Sequence, residues 1–496
     1  MKTRHCIFFL LIVITITAKA QKQHYTQAVE DRIRNVENGL GGWVKIQDST
    51  GWNILSRMAY YRINGLSIAI IHNYKVEWVK AYGWADTAQK IPATANTLFQ
   101  PASIGKSLNA VGVMKLVQDG ELDLKEDINS YLKQWKFPYD SVSHEKKINT
   151  LELLSHTAGL SVHGFDGYKW GQPIPNILQI LNGEAPANSP AVRSIFEPGV
   201  KFEYSGGGIE ISGLMVEDIT GLRYANYMRK TIFKPLGMNH TFYYSQLIDK
   251  EKGLATAYRF DGRPIGCKYY IYPEEACGAG LWSTPGDMAK FIIELQLSLK
   301  NKSNKILSAA TIKQMFTPQV DKNVALGFFI EEKGGQTYFH HTGLNEGFIS
   351  NYYASVKDGD GVVIMANSDY LTGEKDITEE IANSVAMVYG WKGFYTPAIK
   401  KEIIVSESIL KTYCGKYKFN GTPEPTVTVF WKDSKLWFRD SGSPLPWLMH
   451  FTNNTDFFFH EVTFNTHSFT KGADGNVDGF TIKTHDGNFN AKKIHN

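Results

Sequence analysis

The chain has 496 residues, 43% of them hydrophobic and 21% charged, which allows two or three domains with their own cores and fits an ordinary soluble protein. The net charge of +4 includes Lys2, Arg4 and Lys19, and the remaining chain carries 50 Lys and Arg against 49 Asp and Glu. That balance excludes the basic footprint of a nucleic-acid partner.

Residues 1–20 read as a secretory signal. Lys2 and Arg4 precede a short apolar core from Ile7 to Ile16, and Ala18-Lys19-Ala20 is a small-x-small cleavage pattern. The core is shorter than the roughly 18 apolar residues a membrane anchor needs. Cleavage before Gln21 is expected, giving an exported, periplasmic or extracellular protein. No cysteine stands directly after that site, so lipid attachment there is not indicated, and no other segment is long and apolar enough to cross a bilayer. Cys267, Cys277 and Cys414 remain, an odd count that leaves at least one thiol unpaired within the chain. Cys267 and Cys277 could pair or stay as buried thiols. The spacing gives no zinc site, and no cofactor is expected.

Residues 21–56 are mixed, with a helix expected around Val29–Val36. Gly65–His72 reads as a buried strand, His72–Lys75 as a turn and Val76–Tyr82 as a returning strand. Leu122–Ile128 and Ile148–Leu154 look like helix starts. Residues 160–300 are expected to be mostly helical, with a glycine-dense turn at Phe202–Gly208, a helix over Ile209–Ile219 and another beginning at Ser283–Asp287. Strands return at Leu326–Ile330, Gln336–His341, Phe348–Ser355 and Gly361–Ala366, followed by an amphipathic helix over Asp376–Val388. Strands at both ends with helices between predict one sheet assembled from distant parts of the chain. From about Leu410, short alternating runs such as Thr426–Phe430, Lys435–Phe438 and Gly479–Ile482 predict a separate all-β barrel or sandwich over residues 405–496, after a catalytic domain spanning 21–398. No catalytic grouping is visible in it; a ligand grip or a stabilising appendage is favoured over a lid.

The chemistry concentrates at Pro101-Ala-Ser103-Ile-Gly-Lys106. Apolar residues at Ile104, Leu108, Val111, Leu116 and Val117 give near-helical spacing up to Gly120, so Ser103 and Lys106 share one face of the first turn. A serine hydroxyl needs a base within hydrogen-bond reach to act as a nucleophile, and a lysine serves in its neutral form, which burial favours. The spacing alone is weak, since Ser143/Lys146, Ser408/Lys411 and Ser468/Lys471 repeat it. Only the first copy opens a mostly apolar helix and has partners downstream. Tyr204 stands at a glycine turn where a phenol could pass a proton, and His341-Thr-Gly343 precedes a strand-like run along which a substrate backbone could lie.

In order, the chain carries Phe99-x-x-x-Ser103-Ile-Gly-Lys106, Leu153-Leu-Ser-His-Thr-Ala-Gly-Leu160, Phe202-Glu-Tyr-Ser-Gly206 and Pro235-Leu-Gly-Met238. Gly278-Ala-Gly-Leu-Trp-Ser-Thr284 with Asp287-Met-Ala289, and then His341-Thr-Gly343, complete the series. This series resembles the serine β-lactamase and penicillin-binding-protein superfamily, most of all its class C β-lactamase and esterase or D-peptidase branch, over roughly Gly65–Asn367. The resemblance implies a β-lactamase-like α/β (α+β) fold, an antiparallel sheet flanked by helices plus a helical region. It implies Ser103 as nucleophile, Lys106 as general base and Tyr204 as proton-transfer aid. His341, Gly343, Leu344 and Gly206 would line the substrate, with backbone N–H groups of Ser103 and Leu344 as oxyanion donors. Two positions depart from the family pattern. Gly206 replaces an Asn that binds the amide of a β-lactam or peptide side chain, and His341 replaces Lys and is expected to be only partly charged near neutral pH.

The expected function is therefore hydrolysis of a small ester or amide through a Ser103 acyl-enzyme: an esterase, D-peptidase or weak β-lactamase. An acyltransferase passing the group to an alcohol or amine is the near alternative, and a non-catalytic receptor for cell-wall fragments the distant one. A Ser-His-Asp hydrolase using His340 or His341 lacks a Gly-x-Ser-x-Gly elbow. His156 is expected to hold a loop, and Glu203 and Ser205 to face the cleft without an assigned role.

Overall fold

The computed structural model describes residues 25–243, 253–272, 277–369, 377–419, 426–441, 445–460, 466–484 and 487–494. The leader and its cleavage site lie outside the described residues. Among the described residues, no helix is long and apolar enough to cross a membrane. Cys267, Cys277 and Cys414 are free thiols.

The central sheet has seven strands: β1 (Gly65–His72), β2 (Lys75–Asp86), β3 (Ile91–Pro92), β4 (Phe329–Lys333), β5 (Gln336–Asn345), β6 (Phe348–Ser355) and β7 (Gly361–Ala366). Their spatial order is β3-β2-β1-β7-β6-β5-β4, and every neighbouring pair is antiparallel. The pairing of β1 with β7, Leu66 opposite Ala366, joins distant parts of the chain in one sheet as the sequence pattern anticipates. Both faces are covered, so these strands are continuous apolar runs whose alternate residues enter different cores. Ile68, Ile70, Val362 and Ile364 pack with helices α1 (Gln27–Asn38) and α5 (Ile377–Tyr389). Ala69, Ile71, Val363 and Met365 join the larger core on the other face. That core also holds α2 (Gly105–Gln118), α3 (Gly206–Thr220) and α4 (Pro285–Leu299).

The local expectations differ from the structure in four places. Leu122–Asp127 is a loop that leads only to the single turn Ile128–Tyr131, capped by Asp127, while Asn149 and Glu152 form a capping box for Thr150–Leu154. The middle region is largely irregular before Ser205, with one short helix at Ile177–Asn182. Five prolines between Pro173 and Pro198 explain this, because each removes a donor and fixes φ. The glycines 206–208 form the first turn of α3, since the Ser205 hydroxyl accepts from the Gly208 N–H and caps it. Strand β4 starts only at Phe329, because Gly327 has φ +78° and its carbonyl is bonded to Ser107 of α2.

The C-terminal all-β region is a nine-stranded antiparallel sheet running from Gly415–Phe419 to Gly487–Ile494. Its two edge segments, Trp447–Leu448 and His450–Phe451, are separated only by Met449, so the sheet closes on itself as a barrel. Aromatic rings fill it, with Tyr413 stacked on Phe469 at 3.9 Å. The barrel sits against the N-terminal segment: His460 bonds Val44 through both its carbonyl and its ring, and Tyr60 donates to Pro446 O.

Candidate active site

The turn that carries Ser103 is held from several sides. Phe99 bridges to Ser283 through reciprocal backbone bonds, and Gln100 donates to Tyr270 O while accepting from Asn345. Ala102 lies at φ +50° with no exposed surface, a left-handed conformation that costs a residue with a Cβ about 1–2 kcal/mol. Ser103 follows in a short 3-10 turn, and α2 continues from Gly105. Lys106, 4% exposed, donates from Nζ to Ser103 Oγ at 2.9 Å. Two of the other Ser/Lys pairs have their lysine engaged elsewhere: Lys146 is bonded to Glu197 while Ser143 donates to Asp140 O, and Lys411 is bonded to Glu407.

Strand β5 presses against this turn. A Cβ on Gly343 would lie 2.0 Å from Pro101 O and 2.4 Å from Ser350 Oγ, so only glycine lets the strand come this close. The Ser350 hydroxyl donates to Pro101 O at 2.7 Å and ties β6 to the same point. Among the described residues the β4–β5 ladder ends with Phe329 opposite His340, so residues 341–345 pair with β6 alone and leave one strand edge open beside Ser103.

Ser103, Lys106, Tyr204, Gly206, His341 and Leu344 line one cavity of about 480 Å³. Gly343 is the backbone spacer between two of them. Tyr204 lies with its ring 5.1 Å from Lys106 Nζ and 6.4 Å from the His341 ring. It stacks on His156 at 4.3 Å, and His156 Nδ1 accepts the Ser205 N–H at 3.1 Å. His156 thus holds both the loop and the phenol. Burial, followed by the nearby Lys106, pushes its titration well below the usual imidazole range.

His341 is more sharply defined than the sequence suggests. It is 2% exposed, and burial together with Lys106 lowers its pKa to about 3, so it is neutral rather than partly charged. Its Nδ1 is 2.6 Å from the Thr342 carbonyl, which only accepts, so Nδ1 carries the proton and Nε2 the lone pair. That bond leaves no carboxylate behind the ring, unlike a Ser-His-Asp relay. His340 stacks on Phe329 and Tyr353 and is absent from the cavity lining.

The sequence reading passed over several lining residues. Phe165, Phe202 and Phe329 supply aromatic surface from three separate segments, and Asn345 donates to Gln100 and Ala279 O to lock the end of β5. Glu210 is 1% exposed in α3. Gly278 separates it from Lys106, since a Cβ there would lie 3.5 Å from both Glu210 Oε1 and Lys106 Nζ. Burial and the Glu210 carboxylate raise the Cys277 thiol, whose Sγ donates to Ile209 O at 3.4 Å. An acidic residue amid Ile209, Ile211, Leu214 and Met215 was a readable signal; the phenylalanines had none.

Comparison with known proteins agrees with this architecture. The family model described as Beta-lactamase matches residues 53–386, and the chain belongs to that family. Protein flp of Staphylococcus aureus (strain N315) is 27% identical over 328 residues, which cover 62% of this chain and 61% of that protein. The putative penicillin-binding protein PbpX of Bacillus subtilis (strain 168) is 27% identical over 299 residues, covering 60% and 68%. Among solved structures, the octameric penicillin-binding protein homologue from Pyrococcus abyssi superposes with TM-score 0.57 at 19% identity, over 88% of this chain and 98% of that one. The D-amino acid amidase from Ochrobactrum anthropi SV3 gives 0.55 at 21%, over 73% and 98%.

Two outcomes follow from this geometry. Gly343→Ala should lower kcat/KM on an activated ester by about 100-fold or more, because β5 must retreat from the Ser103 turn and misplacements of this size cost that much; activity within threefold of wild type would contradict the need for this close approach. Burial lowers the titrations of His156, His340, His341 and His467. Below about pH 6.5 the unfolded chain therefore binds protons the folded chain refuses, each such histidine removing about 1.4 kcal/mol per pH unit down to its folded pKa. Urea midpoints should fall from pH 7 to pH 5, less steeply in His340→Gln; a midpoint that is flat or rises would contradict the burial of these rings.

Proposed function

We propose that the protein is an exported serine hydrolase that cleaves small esters or amides through an acyl-enzyme on Ser103. The observation that carries this reading is the 2.9 Å contact from buried Lys106 Nζ to Ser103 Oγ, inside a cavity that also presents Tyr204 and an open strand edge. The leading segment, with Lys2 and Arg4 ahead of Ile7–Ile16, supports export.

In the proposed reaction, Lys106 takes the Ser103 proton as Oγ bonds to the acyl carbon. The backbone N–H groups of Ser103 and Leu344 hold the developing oxyanion. Tyr204 passes the proton to the departing alkoxide or amine, and the bond from the acyl carbon to that group breaks. Water then adds to the acyl carbon, gives a proton back through the same groups, and releases a carboxylic acid and free Ser103. His156 keeps the phenol in place by stacking. The amidase that shares the fold keeps amides within the class considered.

A fluorophosphonate should add one phosphonyl group to the peptide containing Ser103, and Ser103→Ala should take none. Lys106→Ala should lower ester turnover by about 10²–10⁴-fold, the range that a positioned general base supplies. Absence of any adduct at Ser103, or equal labelling of Ser103→Ala, would defeat the proposal.

A further inference from the structure

Residue 206 sits where the resemblance places an asparagine, and the space beside it is already filled. The segment 161–168 is pinned at both ends. Gly206 N–H donates to His163 O at 3.0 Å and Gly207 N–H to Val162 O at 3.1 Å, while Tyr168 exchanges backbone bonds with Ile271. Pinning the segment brings Phe165 against the first turn of α3. A Cβ on Gly206 would lie 3.2 Å from both His163 O and the Phe165 ring, closer than ordinary van der Waals contact. Any side chain at 206 would therefore press on Phe165 and on the His163 carbonyl, and one of them would have to give way by a few tenths of an ångström.

The charges lining the cavity point the same way. Besides its histidines and Tyr204, its ionisable side chains are Lys106, which the reading above uses as the base on Ser103 Oγ, and the acid Glu210. The third-motif position holds His341 with a lone pair on Nε2, which accepts hydrogen bonds and offers no positive charge. A substrate carboxylate would face Glu210 here, and beyond Lys106 and His341 the lining's one further basic side chain is the exposed His163. Phe202 and Phe329, 6.4 Å apart and tilted edge to face, continue the apolar surface from Phe165.

We propose that Phe165 is a specificity-determining residue, and that the acyl group seated against it and Gly206 is uncharged and aromatic or branched apolar. This rests on the Ser103 acyl-enzyme reading above. The wall replaces an amide-binding group with aromatic area, so the site gains affinity from apolar burial and loses discrimination for a substrate amide.

The test uses 4-nitrophenyl esters that share one leaving group and differ in the acyl part: acetyl, phenylacetyl and succinyl, the last carrying a free carboxylate. The full chain is compared with Phe165→Ala and with Phe165→Leu, which keeps an apolar wall. Wild type should favour phenylacetyl over acetyl in kcat/KM by about tenfold or more, the scale set by apolar pocket contacts, and should use the succinyl ester least. Phe165→Ala should lose most of the phenylacetyl preference, mainly through KM, while Phe165→Leu retains part of it and still rejects the succinyl ester. An unchanged acyl preference in Phe165→Ala, or a succinyl ester used as well as the phenylacetyl ester by wild type, would overturn the assignment. Fluorophosphonate labelling separates the two levels. Labelling of Ser103 without the acyl preference sinks only the role of Phe165, whereas no labelling and no turnover sinks both.

Discussion

The structure depends on the approach of strand β5 to the turn that presents Ser103. Gly343 makes this possible, since any Cβ would collide with Pro101 O, and Ser350 fastens the contact with a hydrogen bond to the same carbonyl. The approach leaves the edge of residues 341–345 open beside the serine. It also requires that the C-terminal strands share a sheet with the N-terminal hairpin, which the β1–β7 pairing supplies. Ala102, left-handed and fully buried, is the strained point at which the chain turns the serine toward that edge.

Much of this was legible in the chain. Buried strands such as Gly65–His72 appear at their expected limits because both faces are covered and the apolar run is uninterrupted. The ordered phrases around Ser103, Tyr204 and His341 identified residues that share one cavity. What the sequence hid depends on three-dimensional approach. The glycines at 206–208 read as a turn, yet the Ser205 cap and the segment 162–165 make them a helix start. The prolines between Pro173 and Pro198 broke the helical expectation for the first part of the middle region. Phe165, Phe202 and Phe329 had no common signal because they come from three unrelated segments and meet only in the fold.

The two departures from the family pattern have one physical consequence. With glycine at 206, an aromatic ring occupies the neighbouring space; with histidine at 341, burial keeps the third motif neutral. The serine and lysine remain hydrogen-bonded while the surface that would read a polar or anionic substrate is replaced. Among the described residues the barrel contributes none to the cavity lining, and its bonds to Val44 and Tyr60 tie it to the N-terminal segment.

The central claim is that Ser103 is acylated during turnover. Rapid mixing with 4-nitrophenyl phenylacetate, with quenched samples taken for peptide mass analysis, tests it most directly. The account predicts a phenylacetyl adduct on the peptide containing Ser103 that forms and decays with turnover and is absent in Ser103→Ala. Turnover by wild type with no acyl adduct at Ser103 at any time, and undiminished turnover by Ser103→Ala, would contradict it.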